Sequence, residues 1–204
     1  MKTHISRMLV FTFVVLVAAG AIADDKKSAK TPPQMDEKAM MEAWMKAATP
    51  GEAHKKLEPF VGSWNVQVKN WMAPGAPADE TSGTSENEWA LGGRYVQEHF
   101  NGTFMQQPYE GIGFVGYDNI KKTYVSTWMD NMSTAMMMTT GSAGENGKMM
   151  NFKGTMDDPM SGKAMKFEEK LTVTDNDHHM MEMWSPAPDG KMYKSMEITY
   201  SRKQ

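Results

Sequence analysis

Beyond residue 60, apolar and polar residues alternate along the chain with a period of two. Ten segments show this alternation, each bounded by Gly, Asn, Asp or Pro, and each is predicted to form a β-strand. The segments cover residues 62–71, 84–91, 94–103, 110–117, 123–130, 134–142, 149–156, 164–174, 178–185 and 192–201. Before residue 60 the apolar spacing is helical instead, and it predicts a first helix from Asp36 to about Ala48. One face of that helix carries Met41, Trp44 and Met45.

The links between consecutive predicted strands are short and carry residues typical of hairpin turns, such as Gly92-Gly93 and Asp118-Asn119. Short links indicate antiparallel neighbours, because parallel strands need long crossover connections. Ten antiparallel strands must protect their edges, and closure into a barrel achieves this most simply. The sequence therefore predicts an all-β domain over residues 61–204, a ten-stranded antiparallel up-and-down barrel. A two-sheet β-sandwich is the alternative.

A second, shorter helix is predicted between the first helix and the barrel. Thr49 and Glu52 have the spacing of a capping box, and Pro50 would occupy the first helical position. This helix is expected to end at Pro59. Residues 35–60 are thus expected to form two N-terminal helices.

The first 23 residues have the features of a cleavable signal peptide. Lys2 and Arg7 supply its positive charges, residues 8–18 its short apolar run, and Ala23 ends a small-x-small cleavage motif. Residues 24–34 are charged, polar and proline-bearing, which is typical of a disordered leader. We therefore expect an exported protein, periplasmic or secreted, that is cleaved near Ala23 and does not insert into a membrane afterwards.

Composition narrows the classes of function. The chain has no cysteine, which excludes disulfides, thiol catalysis and thiolate metal sites. Loss of Lys2 and Arg7 with the signal peptide would move the formal charge from −3 to −5. Without a basic cluster, the mature chain lacks the positively charged surface that nucleic-acid binding needs. The 23 methionines are spread over the whole chain, so we interpret them as flexible core filler.

Alternation assigns one face of each strand to the interior of the predicted barrel. This face is apolar, with Trp89 and Trp128 as walls, and its charged residues include Arg94, Glu98 and Glu169. We interpret it as a cavity for a small, largely apolar molecule whose polar end the charged residues orient. The alternative is that Arg94 pairs with Glu98 near a rim, while Glu169 lies in a bend or faces outward.

The same alternation makes further assignments along individual strands. It places Leu91 on the inner face of the second strand and Met192 on the inner face of the last. The sixth and ninth segments are apolar on both faces, so alternation does not assign theirs.

Two residues at the ends of the predicted sheet form a recognisable pair. Gly62-Ser63-Trp64 on the first strand and Arg202 on the last resemble the end-closing pair of lipocalin and calycin barrels. In such barrels a cation lies over an indole face, closes one end and ties the first strand to the last. The expected structural pair here is Trp64 and Arg202.

A closer resemblance covers about 150 residues. Its motifs, in order, are PGEAHKKL at 50–57, VGSW at 61–64, LGGRY at 91–95, GYDN at 116–119, WMDN at 128–131, DDPM at 157–160 and MEITY at 196–200. They resemble a bacterial family labelled domain of unknown function 1579. The resemblance implies a lipocalin-like or nitrobindin-like barrel, and it supplies no activity.

The histidine-methionine run at 178–183 suggests two cofactors. Copper(I) favours thioether and imidazole ligands, and His179, Met181 and Met183 would share one face of a strand beside His178. Nitrobindin-like barrels bind haem through a late histidine, which would be His178 or His179. Residues 65–68, Asn-Val-Gln-Val, lack the glycines that follow the tryptophan in that family. No cofactor is therefore assigned, and haem and copper remain alternatives.

Catalysis is the third class of function. Glu98 and Glu169 could form an acid/base pair in the interior, and Asp130 beside Trp128 is another acid. No serine or histidine lies in a recognisable nucleophile motif, and no glycine-rich phosphate loop follows a strand. The sequence therefore favours a binding protein over an enzyme.

Overall fold

A computed structural model describes residues 36–158 and 161–204, so the predicted signal peptide and leader lie outside the described residues. The chain begins with helices α1 (Glu37–Ala48) and α2 (Glu52–Lys55), followed by a 3-10 turn (Glu58–Phe60). The strands are β1 (Gly62–Asn70), β2 (Asp79–Ala90), β3 (Tyr95–Phe104), β4 (Gln107–Asp118), β5 (Thr123–Asp130), β6 (Met137–Ala143), β7 (Met149–Asp157), β8 (Ala164–Val173), β9 (His178–Pro186) and β10 (Met192–Arg202).

The ten strands form a closed ring. Each strand pairs in antiparallel fashion with its neighbours along the chain, and β1 also pairs with β10. At that closure Trp64 lies opposite Arg202 and Val68 lies opposite Ile198. The ring confirms the predicted ten-stranded antiparallel barrel with an N-terminal helix, and it excludes the β-sandwich. β2 begins earlier than predicted because residues 79–83 continue its ladder with β1 despite their polar sequence.

Residues 51–61, here called the plug, close one end of the barrel. Leu57 and Phe60 are buried inside that end, at 0% and 5% exposure. The Phe60 carbonyl accepts hydrogen bonds from Trp64 Nε1 at 3.1 Å and from Asn87 Nδ2 at 3.0 Å. The plug is thereby fixed to β1 and β2, and its apolar side chains complete the core of this end.

The cap of α2 differs from the sequence prediction. The N-cap residue is Gly51, whose backbone N–H donates to His54 Nδ1 at 3.0 Å. The Thr49 hydroxyl instead donates to the Met45 carbonyl at 2.7 Å, in the last turn of α1. The predicted cap at Thr49 is wrong because the preceding helix uses that hydroxyl. Pro59 lies inside the 3-10 turn and does not end α2.

The apolar face of α1 does not pack on the barrel. Met41, Trp44 and Met45 are 60%, 68% and 59% exposed. The helix is attached at its C-terminal end, where Asn119 Nδ2 donates to the Ala47 carbonyl at 3.0 Å. In the part of the chain that the structure describes, no helix is both long enough and apolar enough to span a membrane.

Two inner-face assignments are wrong. Leu91 is 73% exposed because it lies beyond β2 in a turn, with a φ of +50°. Met192 is 42% exposed because a β-bulge between Lys194 and Met196 shifts the alternation of β10. From Met196 onward the alternation follows the prediction, and it leads to the buried Tyr200.

Candidate functional site

The interior of the barrel has a plugged half and an open half. The opposite end from the plug carries the connections from β1 to β2, β3 to β4, β5 to β6, β7 to β8 and β9 to β10, and neither described helix covers it. Toward this end many inward-facing side chains are only half-buried. They include Glu98, Tyr109, Trp128, Glu169, Met181, Met196 and Ile198. Complete packing of this half would bury these side chains fully. We therefore call it the lumen.

Glycines let large aromatic rings lie flat against the wall. The Trp128 ring on β5 covers Gly111 and Gly113 of β4, and a Cβ atom on Gly111 would lie 2.1 Å from the ring. Phe100 on β3 covers Gly102 in the same way, with a corresponding distance of 2.8 Å. The indole therefore fills the volume of two missing side chains on the wall of the barrel.

Hydrogen bonds fix the Trp128 ring in this position. Its Nε1–H points at Tyr109 Oη, 3.0 Å away, and at Asp130 Oδ2, 3.2 Å away. The Tyr109 hydroxyl donates to the same Asp130 oxygen at 3.0 Å. Burial raises the pKa of Tyr109 well above its usual range, so its hydroxyl keeps its proton. Trp128 is thus oriented before any ligand arrives.

Glu98 belongs to a second hydrogen-bond network. Its Oε1 lies 2.8 Å from Ser85 Oγ and 3.1 Å from the Tyr200 hydroxyl. Ser85 Oγ is also 2.6 Å from Asn87 Oδ1, an acceptor whose orientation is set because Nδ2 donates to the Phe60 carbonyl. Ser85 has one hydrogen for two acceptors, so the network needs one more proton. Burial raises the pKa of Glu98, which favours the protonated form of its carboxyl group.

Glu169 is the carboxyl group of the lumen that has the Thr139 hydroxyl as its polar neighbour. Its partners on the adjacent strands are Phe152 and Met183, which are both apolar. Burial raises the pKa of Glu169 to about 7, and the Thr139 hydroxyl offsets part of this shift. Thr139 is 5% exposed, and its Oγ1 meets no hydrogen-bond geometry with any described residue. The lumen therefore contains two polar groups with unused hydrogen-bonding capacity.

Two of the predicted ligand-binding residues lie at the plugged end. Trp89 Nε1 donates to Glu58 Oε2 in the plug, at 2.9 Å. The Arg94 guanidinium folds back over its own turn, where Nη1 donates to the Leu91 carbonyl at 2.9 Å. The structure brings Glu98, Trp128 and Glu169 to the lumen, and it does not bring Trp89 and Arg94 there.

Trp64 and Arg202 meet at the plugged end. The guanidinium carbon of Arg202 lies 4.1 Å from the Trp64 ring centroid, and Nη1 donates to the Val61 carbonyl at 3.0 Å. Gly62 has a φ of +136°, and a Cβ there would lie 2.1 Å from that nitrogen. Glycine at this position lets the guanidinium cover the fully buried indole.

The two histidines point to opposite faces of β9. His178 faces outward, with Nδ1 2.8 Å from Asp175 Oδ1. His179 faces inward, is 4% exposed, and stacks on Tyr200 at 4.1 Å between ring centroids. The Trp64 ring meets it edge-on at 4.3 Å. A haem iron needs an accessible imidazole nitrogen and a flat open space beside it, so the residues present do not fit haem.

The candidate copper ligands are only partly brought together. His179, Met181 and Met183 share the inner face of β9, whereas His178 lies on the other face. Burial lowers the pKa of His179 to about 3, so this imidazole is neutral. Within the described residues, no group of three or more His, Asp or Glu side chains is placed to hold a metal ion.

Two open clefts lie on the outside of the barrel. One, of about 390 Å³, is lined by residues of β1, β2 and β3, and its Glu86 carboxylate already accepts from Ser63 and Lys203. The other, of about 400 Å³, lies beside the plug, where Lys56 donates to the Gly144 carbonyl. Because these charged groups are already engaged and exposed, neither cleft offers the unused buried groups of the lumen.

Sequence reasoning missed polar residues that interact with the predicted site residues, namely Ser85, Asn87, Tyr109 and Thr139. Ser85 and Asn87 share the inner face of β2 with Trp89, so alternation along that strand could have found them. Tyr109 escaped because the predicted fourth strand began one residue later, at 110, whereas β4 begins at Gln107. Thr139 lies on a strand whose two faces look alike in the sequence.

These features define a class of protein. The chain forms a small closed barrel of ten antiparallel β-strands, with one plugged end and a partly polar lumen. The family model described as "Protein of unknown function (DUF1579)" matches residues 49–202. The chain belongs to this family. No curated protein matches it significantly.

Solved structures share the barrel architecture at low sequence identity. The crystal structure of Rv2717c from M. tuberculosis is similar with a TM-score of 0.57 and 11% identity, covering 76% of this chain and 100% of that one. A redesigned β-barrel gives a TM-score of 0.39 and 16% identity, covering 77% and 100%. A DUF3598 protein of unknown function from Nostoc punctiforme PCC 73102 gives 0.22 and 8%, covering 76% and 100%. The first of these similarities supports the fold alone.

Proposed function

We propose that this protein binds a small, largely apolar molecule in the lumen. The observation that carries the proposal is the arrangement of Trp128. Its ring is laid flat on Gly111 and Gly113 and is held by Tyr109 and Asp130. A wall that is oriented in advance favours binding, because little ordering remains to be done when a ligand enters.

The rest of the lumen wall suits an apolar ligand of variable shape. Inward-facing methionines line it, and they are Met137, Met156, Met165, Met181, Met183 and Met196. Thioether side chains are flexible and polarizable, so they adapt to the ligand that enters. The polar groups around Glu98 and Glu169 would then contact the ligand's polar end.

Binding of a neutral apolar fluorophore tests this proposal. N-phenyl-1-naphthylamine should bind with 1:1 saturation, brighten, and quench tryptophan emission. Gly111→Ala should weaken binding at least about tenfold, because the new methyl group forces the Trp128 ring into the lumen. Gly51→Ala is the matched control, since a Cβ there would have no atom within 4 Å. Absence of saturable binding, or equal binding by the Gly111→Ala protein with an unchanged thermal melt, would refute the proposal.

We also infer that the protein acts after export, because residues 1–23 have the composition of a signal peptide. The test is N-terminal sequencing of the protein isolated from its own host. A mature chain that begins at Asp24 would support export. A chain that retains Lys2 and Arg7 in the cell interior would contradict it.

A further inference from the structure

We propose that the ligand of the lumen carries a basic nitrogen, and that the carboxylate of Glu169 and the hydroxyl of Thr139 receive its ammonium group. This inference rests on the proposed function and narrows it to one chemical class, apolar amines. It follows from the balance of charge in the lumen and from which of its polar groups already have partners.

The lumen contains acids without a compensating base. Its inward-facing carboxyl groups are those of Glu98, Asp130 and Glu169. Among the described residues, no lysine or arginine faces this half of the interior. The inward-facing cation Arg202 lies over Trp64 at the plugged end. A buried carboxylate without a counter-charge is costly, so a bound cation would be favoured over a neutral molecule or an anion.

Two of the three carboxyl groups are already engaged. Asp130 accepts from Trp128 and Tyr109 through one oxygen, and its other oxygen accepts from the Met132 backbone N–H at 2.9 Å. Glu98 is bonded within its network with Ser85 and Tyr200. Glu169 has the Thr139 hydroxyl beside it, but that contact lies outside normal hydrogen-bond geometry. It is therefore the acid that is left for a ligand.

A second group beside Glu169 is also unsatisfied. Thr139 is 95% buried, and its hydroxyl interacts with the Glu169 carboxyl without reaching normal hydrogen-bond geometry. The strand between them, β7, carries Gly154 at this level, opposite both Thr139 and Phe167. The Phe167 ring and the Thr139 methyl group lie over Gly154, each with an atom 2.8 Å from where a Cβ would be.

An ammonium group matches this pair of acceptors. It has three N–H donors and no acceptor, so it can donate to the carboxylate and to the threonine oxygen together. A hydroxyl ligand has one donor and leaves the charge of Glu169 uncompensated. A carboxylate ligand adds a further acid to a lumen that already holds three.

Competition between three eight-carbon ligands tests the inference. Octylamine, 1-octanol and octanoate are titrated at pH 8 against bound N-phenyl-1-naphthylamine. Octylamine should displace the fluorophore at a concentration about tenfold lower than 1-octanol, with octanoate the weakest. Glu169→Gln should bring the displacing concentration of octylamine to that of 1-octanol, each referred to the variant's own affinity for the fluorophore. Glu168→Gln is the matched control, because Glu168 is exposed, faces outward and pairs with Lys153 at 2.8 Å.

Thr139→Val provides a second variant of similar shape, and it should reduce the preference for the amine severalfold. If the fluorophore binds but octylamine displaces it no better than 1-octanol, the inference is overturned while the proposed function stands. If the preference survives both Glu169→Gln and Thr139→Val, the inference is also overturned. If the fluorophore does not bind at all, the proposed function fails and the inference fails with it.

Discussion

Two titratable residues of the interior have pKa values that burial shifts in opposite directions. Burial raises the pKa of Glu169 to about 7 from 4.5 and lowers that of His179 to about 3 from 6.5. Both shifts favour the neutral form, because the apolar interior disfavours an isolated charge of either sign. The two residues therefore make the stability of the fold depend on pH in opposite directions.

The first prediction concerns Glu169. The folded protein holds a proton on this side chain between pH 4.5 and 7 that the unfolded chain releases, so its contribution to stability is lost as the pH rises through that range. In Glu169→Gln this loss is absent. Relative to wild type, the variant should gain stability between pH 5 and pH 8, by up to about 3 kcal/mol. Urea unfolding at both pH values measures it, with Glu168→Gln as control. The prediction is contradicted if the stability difference between Glu169→Gln and wild type is the same at pH 5 and at pH 8.

The second prediction concerns His179. Below pH 6.5 the unfolded chain takes up a proton that the folded protein refuses until about pH 3, so stability falls as the pH falls through this range. His179→Phe keeps an aromatic ring stacked on Tyr200 and cannot titrate. Its acid-unfolding midpoint, followed by tryptophan fluorescence, should move to lower pH. His178→Gln, at the exposed neighbour, should leave the midpoint in place, and equal behaviour of the two variants would count against this role.

The plug and the ends of β1 and β10 form the element that closes one side of the barrel. Arg202 joins them, because it covers Trp64 and also donates to the carbonyls of Val61 and Asn176. Each of these contacts spans two segments that are distant in sequence. The closure of the ring therefore depends on this one side chain more than on any single ladder hydrogen bond.

The third prediction follows from that closure. Arg202→Met keeps the apolar stem over the indole but removes the cation and its donors. It should lower the free energy of unfolding by about 2–3 kcal/mol. Lys203→Met is the matched control, because Lys203 pairs with the exposed Glu86 and should cost less than about 1 kcal/mol. Chemical denaturation of both variants gives the comparison, and equal losses would show that Arg202 has no special part in closure.

The elements were predictable because their determinants are local. Hairpin residues such as Gly92-Gly93 and alternating side chains define each strand within a few neighbours. The bulge near Lys194 was not predictable, because it depends on the pairing of β10 with β9. The cap of α2 was missed because the Thr49 hydroxyl could serve either the end of α1 or the start of α2. The structure shows that it bonds to α1, and that Gly51 is the N-cap of α2.

For the candidate site, the sequence predicts which way a side chain points but not which side chains contact one another. Alternation turned Glu98, Trp128 and Glu169 inward, as the structure has them. It also turned Arg94 inward, although a long side chain at a strand end can fold over its turn. The hydrogen bond from Tyr200 to Glu98 joins residues 102 positions apart. Such contacts depend on the register of the closed ring.

At the scale of the whole molecule, the two halves of the barrel have different roles. The plugged half is a packed core around Leu57, Phe60, Tyr124 and Phe152. The open half has half-buried walls, glycines under its aromatic rings, and acids that lack a base. In the proposed function, the packed end holds the barrel together while the open end admits the ligand.

The most direct test of the central claim, a ligand within the lumen, is NMR of methionine methyl groups labelled with carbon-13. The protein is titrated with N-phenyl-1-naphthylamine. The inward-facing Met181 and Met196 should shift and saturate together, while the exposed Met72 and Met138, at 70% and 65% exposure, should not move. Shifts confined to the exposed methionines, or no shift at Met181 and Met196 at saturating probe, would contradict binding in the lumen.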